Sequence, residues 1–191
     1  VSRAIPEIDG FKPAHRKLLY TMYKMGLMNG PRQKCANIVG QTMRLNPHGN
    51  DAIYETLVRL TRDHAALLHP FIDSKGGFGK QYSSGPYSAP RYTEARLEKF
   101  SAEIFSGIEK NAVDMVDNYD GTMKEPALLP TRFPNVLVSA NTGIAVGMAS
   151  AICGFDLCEV CRTTAAFLRD EEHDLLTTLP APDFPTGGEL L

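Results

Sequence analysis

Residues 34–63 read KCANIVGQTMRLNPHGNDAIYETLVRLTRD, and this stretch decides the fold. Ile38, Val39 and Met43 recur at helical spacing and predict a helix over about 34–44 with those three side chains inward. Asn46-Pro47-His48-Gly49 is a turn by composition. A second helix is expected over about 50–63, with Asn50 or Asp51 as its N-cap and Ile53, Leu57 and Leu60 as its buried stripe. Asn50, Glu55, Arg59 and Arg62 would then face outward. Two short helices across a tight turn, with basic groups on the outer face of the second, form a helix-turn-helix pattern. Many helical pairs share it, so alone it is weak.

Upstream, residues 13–26 (PAHRKLLYTMYKMG) predict another helix. Pro13 suits its first turn, Leu18, Leu19, Met22 and Met25 form its stripe, and Gly26 is placed to end it. His15, Arg16, Lys17 and Lys24 fall mostly off that stripe. Downstream, residues 70–91 (PFIDSKGGFGKQYSSGPYSAPR) read as a long loop with room for one hairpin. A loop of this length in a compact domain is usually functional or disordered. A helix is expected to resume at Thr93, with Leu97, Phe100, Ile104 and Ile108 as its stripe. Beyond Val113 the period changes: 135–139 and 143–146 read as strands, and 157–169 as a last helix. The class is therefore α+β.

The length of 191 residues and the 43% apolar content suit one sizeable soluble domain or two small ones. No run of eighteen apolar residues is present to span a membrane, and the first residues lack the pattern of a signal peptide. Four cysteines are too few for a disulfide scaffold of this size, so a reduced, cytoplasmic protein is expected. The net charge of −2 hides an asymmetry. Residues 1–92 carry 13 Lys and Arg against 6 Asp and Glu, a net +7; residues 93–191 carry 7 against 16, a net −9. A polyanion facing the first half explains this, and so does mutual attraction of the halves.

Arg91-Tyr92 is expected where the long loop meets a helix start. A phenol is a weak nucleophile until it loses its proton. An adjacent guanidinium stabilises the phenolate and neutralises a phosphate in its transition state, and a helix N-terminus favours an anion. On this local chemistry alone, an ordinary structural Arg-Tyr pair is the commoner case. Gly76-Gly77-Phe78-Gly79 is neither a Walker nor a dinucleotide-binding motif and reads as a flexible turn. His48 stands before a candidate recognition helix, within reach of a phosphate. Cys158 and Cys161 have metal-like spacing without a second pair, and two buried thiols are the better reading. Asp114, Asp117 and Asp120 fail the calcium-loop pattern and read as a solvated acidic turn.

Taken in order, the motifs resemble the A subunits of bacterial type IIA topoisomerases, the family of DNA gyrase and topoisomerase IV. They are Arg3-Ala4-Ile5-Pro6, Asp9-Gly10-Phe11-Lys12-Pro13, His15-Arg16, Pro47-His48-Gly49, Gly77-Phe78-Gly79, Arg91-Tyr92-Thr93-Glu94, Val116 to Thr122, Pro134-Asn135, Gly143 to Met148 and Pro182 to Thr186. They span nearly the whole chain. The resemblance implies a winged-helix DNA-cleavage domain over 1–120 and the beginning of a tower domain over 121–191. It implies that Tyr92 is the nucleophile that becomes linked to a 5′ phosphate, that Arg91 stabilises the charged transition state, and that Arg3 and His48 match positions that help hold the scissile region. Lys12, His15, Arg16, Asn46 and Arg59 match DNA-contacting positions, and Ile144 matches the residue that wedges between base pairs. Mg²⁺ and ATP are implied for a partner B subunit, not for this chain, within an A2B2 assembly around double-stranded DNA. The usual first histidine of the turn motif is Asn46 here. Asp51 and Glu55 stand where Ser and an acidic residue normally anchor quinolones, so reduced drug sensitivity is expected. Met25-Gly26-Leu27 and Glu55 lean toward topoisomerase IV over gyrase. A non-catalytic helix-turn-helix regulator would explain the basic half but not the setting of Tyr92, and a dimerising scaffold would explain neither.

Overall fold

The computed structural model describes residues 3–83 and 85–188. Ser84 of the long loop and the last three residues of the Pro-rich end lie outside them. The expected helices of the first sixty residues form with nearly the expected bounds: α1 Pro13–Lys24, α2 Cys35–Thr42 and α3 Asn50–Leu60. Pro13 sits in the first turn of α1, and Gly26 follows its end at φ +73°, a left-handed conformation that costs glycine least. Leu18, Leu19, Met22, Ile38, Ile53 and Leu57 interlock at 0–1% exposure to make one core. Two details differ. Gly49, not Asn50 or Asp51, is the N-cap of α3. Met43 lies at the end of α2 and is 39% exposed rather than inward.

A three-stranded antiparallel sheet closes this core, in the order β1 (Gln33–Lys34), β3 (Glu94–Leu97), β2 (Ile72–Lys75). The central strand corrects the helix expected from Thr93. Over Glu94–Leu97 the burial alternates: Ala95 and Leu97 point in, while Glu94 and Arg96 point out. The outward pair is fixed across the sheet, Glu94 to Lys34 at 2.8 Å and Arg96 Nε to Asp73 at 2.7 Å; Arg32 also holds Asp73, with both carboxylate oxygens at 2.8 Å. The apolar residues spaced by three and four after Leu97 fall on short helical pieces instead, a turn at Lys99–Ser101, α4 (Ala102–Phe105) and a turn at Ile108–Lys110. Gly107, at φ +94°, separates the last two.

The second half carries two hairpins and short helices: β4 (Met115–Asp117) with β5 (Lys124–Pro126), α5 (Asn135–Val138), β6 (Asn141–Ala145) with β7 (Met148–Ile152), α6 (Leu157–Leu168) and α7 (Leu175–Thr178). The strand expected at 135–139 is α5. Its short apolar run is compatible with either state, and the helix is chosen by Asn135, whose amide donates to the Asp9 carbonyl at 3.0 Å and whose Oδ1 accepts from Ser139. Asp117 pairs with Lys124 and Asp120 accepts from Thr122, so these acids stabilise the β4–β5 hairpin. In α6, Val160 and Thr163 are the buried residues, so Cys158 and Cys161 are exposed, contrary to expectation. Among the described residues no helix is long and apolar enough to cross a membrane.

Candidate nucleic-acid interface

Tyr92 stands at the entrance to β3, not at a helix start. Its backbone is held on both sides. The N-terminal amides of α2 would lack partners within the helix; Ala36 N–H donates to the Pro90 carbonyl at 3.1 Å and Cys35 N–H to the Thr93 carbonyl at 3.0 Å. From α3, the Tyr54 hydroxyl reaches the Ser88 carbonyl at 2.7 Å and Thr93 Oγ1 at 2.8 Å. Thr93 is fully buried while Tyr92 is 65% exposed. The result is a fixed backbone presenting a free phenol. The helix expected to start at Thr93, with an N-terminus favouring an anion beside Tyr92, is replaced by β3. The Arg91 guanidinium lies 4.7 Å from the centre of the Tyr92 ring.

The turn before α3 contributes His48, exposed and adjacent in sequence to the N-cap Gly49. Asn46 does not face outward with it. Asn46 is 4% exposed, and its Oδ1 accepts the His48 backbone N–H at 3.2 Å. Its side-chain carbonyl oxygen shapes the turn. Asp51 and Glu55 are exposed on α3. The Tyr87 hydroxyl lies 3.5 Å from Glu55, and partial burial together with Glu55 and Asp51 holds that phenol above its usual pKa.

The cations matched to DNA-contacting positions divide. Arg3 is exposed, and Lys12 and Arg59 are partly exposed. Arg16 is 6% exposed and turned inward: its Nε meets Asp9 at 2.7 Å and its Nη2 donates to Asp9 at 2.8 Å and to the Phe11 carbonyl at 3.1 Å. A DNA contact by Arg16 is therefore corrected to a structural ion pair. His15 shares a narrow cleft with Arg59 and Asn141. Desolvation, then Arg59 and Lys12, push its pKa down to about 3, so it is neutral at physiological pH and brings no charge to a phosphate. Because the folded value lies below the unfolded value of about 6.5, the unfolded chain takes up the proton first as pH falls. Stability is then lost from about pH 6.5 down to about 3, at up to ~1.4 kcal/mol per unit. We predict that His15→Gln flattens this part of the stability–pH profile in denaturant titrations; an unchanged slope would refute the assignment.

At the other end of the molecule's DNA-matched set, Ile144 projects from β6 at 91% exposure. Val146, in the turn that follows, is fully exposed. Periodicity has no means of marking the residues that fasten this surface, Tyr54, Thr93 and Asp9. Their signal is a polar side chain inside a buried stripe.

The fold is α+β, with an exposed, arginine-flanked tyrosine beside a helix pair. Residues 3–191 match the family model that describes the A subunit of DNA gyrase/topoisomerase IV, and the chain belongs to that family. It is 45% identical over 196 residues to the DNA gyrase A subunit of Metamycoplasma arthritidis, covering 100% of this chain and 22% of the relative. It is 42% identical over 198 residues to the gyrase A subunit of Synechocystis sp., covering 100% and 23%. Against that of Thermotoga maritima the identity is 42% over 193 residues, covering 98% and 24%. The chain thus spans less than a quarter of the length of these relatives. All three are gyrase subunits, so the lean toward topoisomerase IV finds no support.

Proposed function

We propose that this chain is the DNA-cleaving part of the A subunit of a type IIA topoisomerase, with Tyr92 as its nucleophile. The observation that carries the reading is an exposed Tyr92 side chain on a fixed backbone, with the Arg91 guanidinium against its ring. The phenolic oxygen attacks a backbone phosphorus. The phenol gives up its proton to solvent as the Tyr–O–P bond forms, the P–O3′ bond breaks, and the departing 3′ oxygen takes up a proton. The new ester conserves the energy of the old one, so religation by the 3′ hydroxyl needs no ATP. Arg91 neutralises the phosphate as charge builds on it. Exposed His48 and Arg3 help hold the scissile region, and Lys12 and Arg59 contact the duplex through phosphates, which gives affinity with little sequence preference. Exposed Ile144 enters between base pairs and bends the duplex.

Residues 1–120, with α1–α3 and the three-stranded sheet, are the winged-helix cleavage domain in this reading, and 121–191 begin the tower. Two A subunits work with two B subunits on double-stranded DNA in the cytoplasm. The B subunits supply Mg²⁺ and ATP. The test is direct: trap the covalent adduct formed by the full-length protein with its B partner, Mg²⁺ and supercoiled DNA, digest it, and locate the phosphodeoxynucleotide by mass. A linkage at any residue other than Tyr92 overturns the proposal.

Asp51 replaces the hydroxyl expected at the drug-anchoring position, and its carboxylate lies close enough to Tyr87 to act on its phenol. Quinolones should therefore be weak against this enzyme. Restoring the hydroxyl with Asp51→Ser is expected to lower the drug concentration that traps cleaved DNA by about tenfold, the value of one hydrogen bond to a charged group. Unchanged potency would count against the assignment of Asp51.

A further inference from the structure

Lys12, Ala4 and the base of the β6–β7 hairpin meet at one point of the structure. The Lys12 ammonium donates to the Thr142 carbonyl at 2.7 Å, across 130 residues of sequence. The next residue, Gly143, lies so close to the N-terminal segment that an added Cβ would stand 2.0 Å from the Ala4 carbonyl oxygen. The residue before, Asn141, is 6% exposed and lines the cleft that holds His15 and Arg59. Three consecutive residues at the foot of the hairpin are thus seated against the N-terminal segment, Lys12 and the His15–Arg59 cleft. Directly beyond them the hairpin is free: Ile144 is 91%, Val146 102% and Met148 46% exposed. The foot sets the angle at which Ile144 projects.

We propose that Lys12 is a positioning residue for Ile144: its hydrogen bond to Thr142 latches the foot of the β6–β7 hairpin and so aims the inserting side chain. This deepens the reading of Ile144 as the wedge and rests on it. An ammonium has three donors. One serves Thr142, and the other two stay available to a DNA phosphate, so a single group links the backbone contact to the wedge. Desolvation and the nearby Arg59 lower the Lys12 pKa, as expected for an ammonium drawn against the protein rather than left in solvent. A plain phosphate contact behaves differently. Its loss weakens binding to all sequences alike, lowers the salt slope by about one, and adds to the effect of a distant substitution.

The test uses the full-length protein with its B partner. In the free protein, Lys12→Met is expected to speed amide exchange over residues 141–152 about tenfold, the loss of one charge-assisted hydrogen bond, while Lys12→Arg, which keeps a donor, restores most of the protection. Unchanged exchange in Lys12→Met overturns the proposal whatever Ile144 does. On DNA carrying dyes at both arms, saturated with protein so that weaker binding does not enter, Lys12→Met should reduce the bent fraction about as much as Ile144→Ala, and the double variant should be no worse than Ile144→Ala alone. Additive losses overturn positioning and leave a phosphate contact. If Ile144→Ala does not alter the bend, the wedge reading itself fails, and the exchange result still decides whether Lys12 latches the hairpin.

Discussion

Tyr92→Phe is expected to abolish covalent protein–DNA adducts while leaving DNA affinity within about twofold. The substitution removes one oxygen from a side chain that is 65% exposed, and no described hydrogen bond uses that oxygen. The ring stays, so the Arg91 contact at 4.7 Å stays, and Thr93, Cys35 and Ala36 continue to hold the backbone. Stability should be unchanged. Removing a covalent nucleophile typically costs on the order of 10⁶ in rate, which puts cleavage below detection. Arg91→Ala should act on the same step more weakly, by ~10²–10³, the usual cost of one donor to a developing charge. Arg91→Lys should recover only part, because a point charge does not replace a planar fork. The measurement is the adduct captured after detergent quench of cleavage reactions, beside a filter-binding isotherm at fixed salt. Adducts with Tyr92→Phe would remove Tyr92 as nucleophile. Equal losses of cleavage and binding in Arg91→Ala would make Arg91 a binding residue only.

The helices around the core are legible because their burial obeys one period: Leu18, Leu19, Met22, Ile53 and Leu57 face the same interior from two helices. Leu97 shows where that logic stops. It heads a row spaced by three and four, yet it is the last residue of a strand, because the charge pairs of Glu94 and Arg96 to Lys34 and Asp73 are long-range facts invisible in a local window. Tyr92 moves with it from a helix start to a strand entrance, where its side chain is 65% exposed. The cations divide for a related reason. Arg16 and Arg59 look alike in sequence, and only the fold brings Asp9 to one and leaves the other partly exposed at a narrow cleft. Asn46 and the α6 cysteines depart from expectation in opposite directions. A short polar group can cap a turn from inside, and small thiols on a short helix follow whichever face packing leaves them.

Asp9→Ala is the substitution expected to cost most stability. The Asp9 side chain is 1% exposed and every contact it makes is inward. Its carboxylate takes Nε and Nη2 of Arg16, the Phe11 backbone N–H at 3.1 Å, and the Leu129 backbone N–H at 2.9 Å. Its own carbonyl takes the Asn135 amide, and Gly10 beside it has no room for a Cβ, since one would lie 2.5 Å from Asn135 Nδ2. This turn joins the first helical layer to the chain that carries the β6–β7 hairpin. Truncation leaves the Arg16 guanidinium buried without its counter-charge and two backbone donors without acceptors. Breaking a buried pair from one side costs about 3–5 kcal/mol, a large share of the roughly 5–15 kcal/mol that holds a protein folded. At ~2–4 °C per kcal/mol for a chain of this size, the melting temperature should fall by roughly 6–20 °C. Asp9→Asn, which keeps the shape and one acceptor, should fall less, and Arg16→Met in the Asp9→Asn background should recover part of the loss by removing the stranded charge. The check is the denaturant midpoint of each variant at constant slope. A loss under about 1 kcal/mol for Asp9→Ala would show that the two halves are joined by something other than this ion pair.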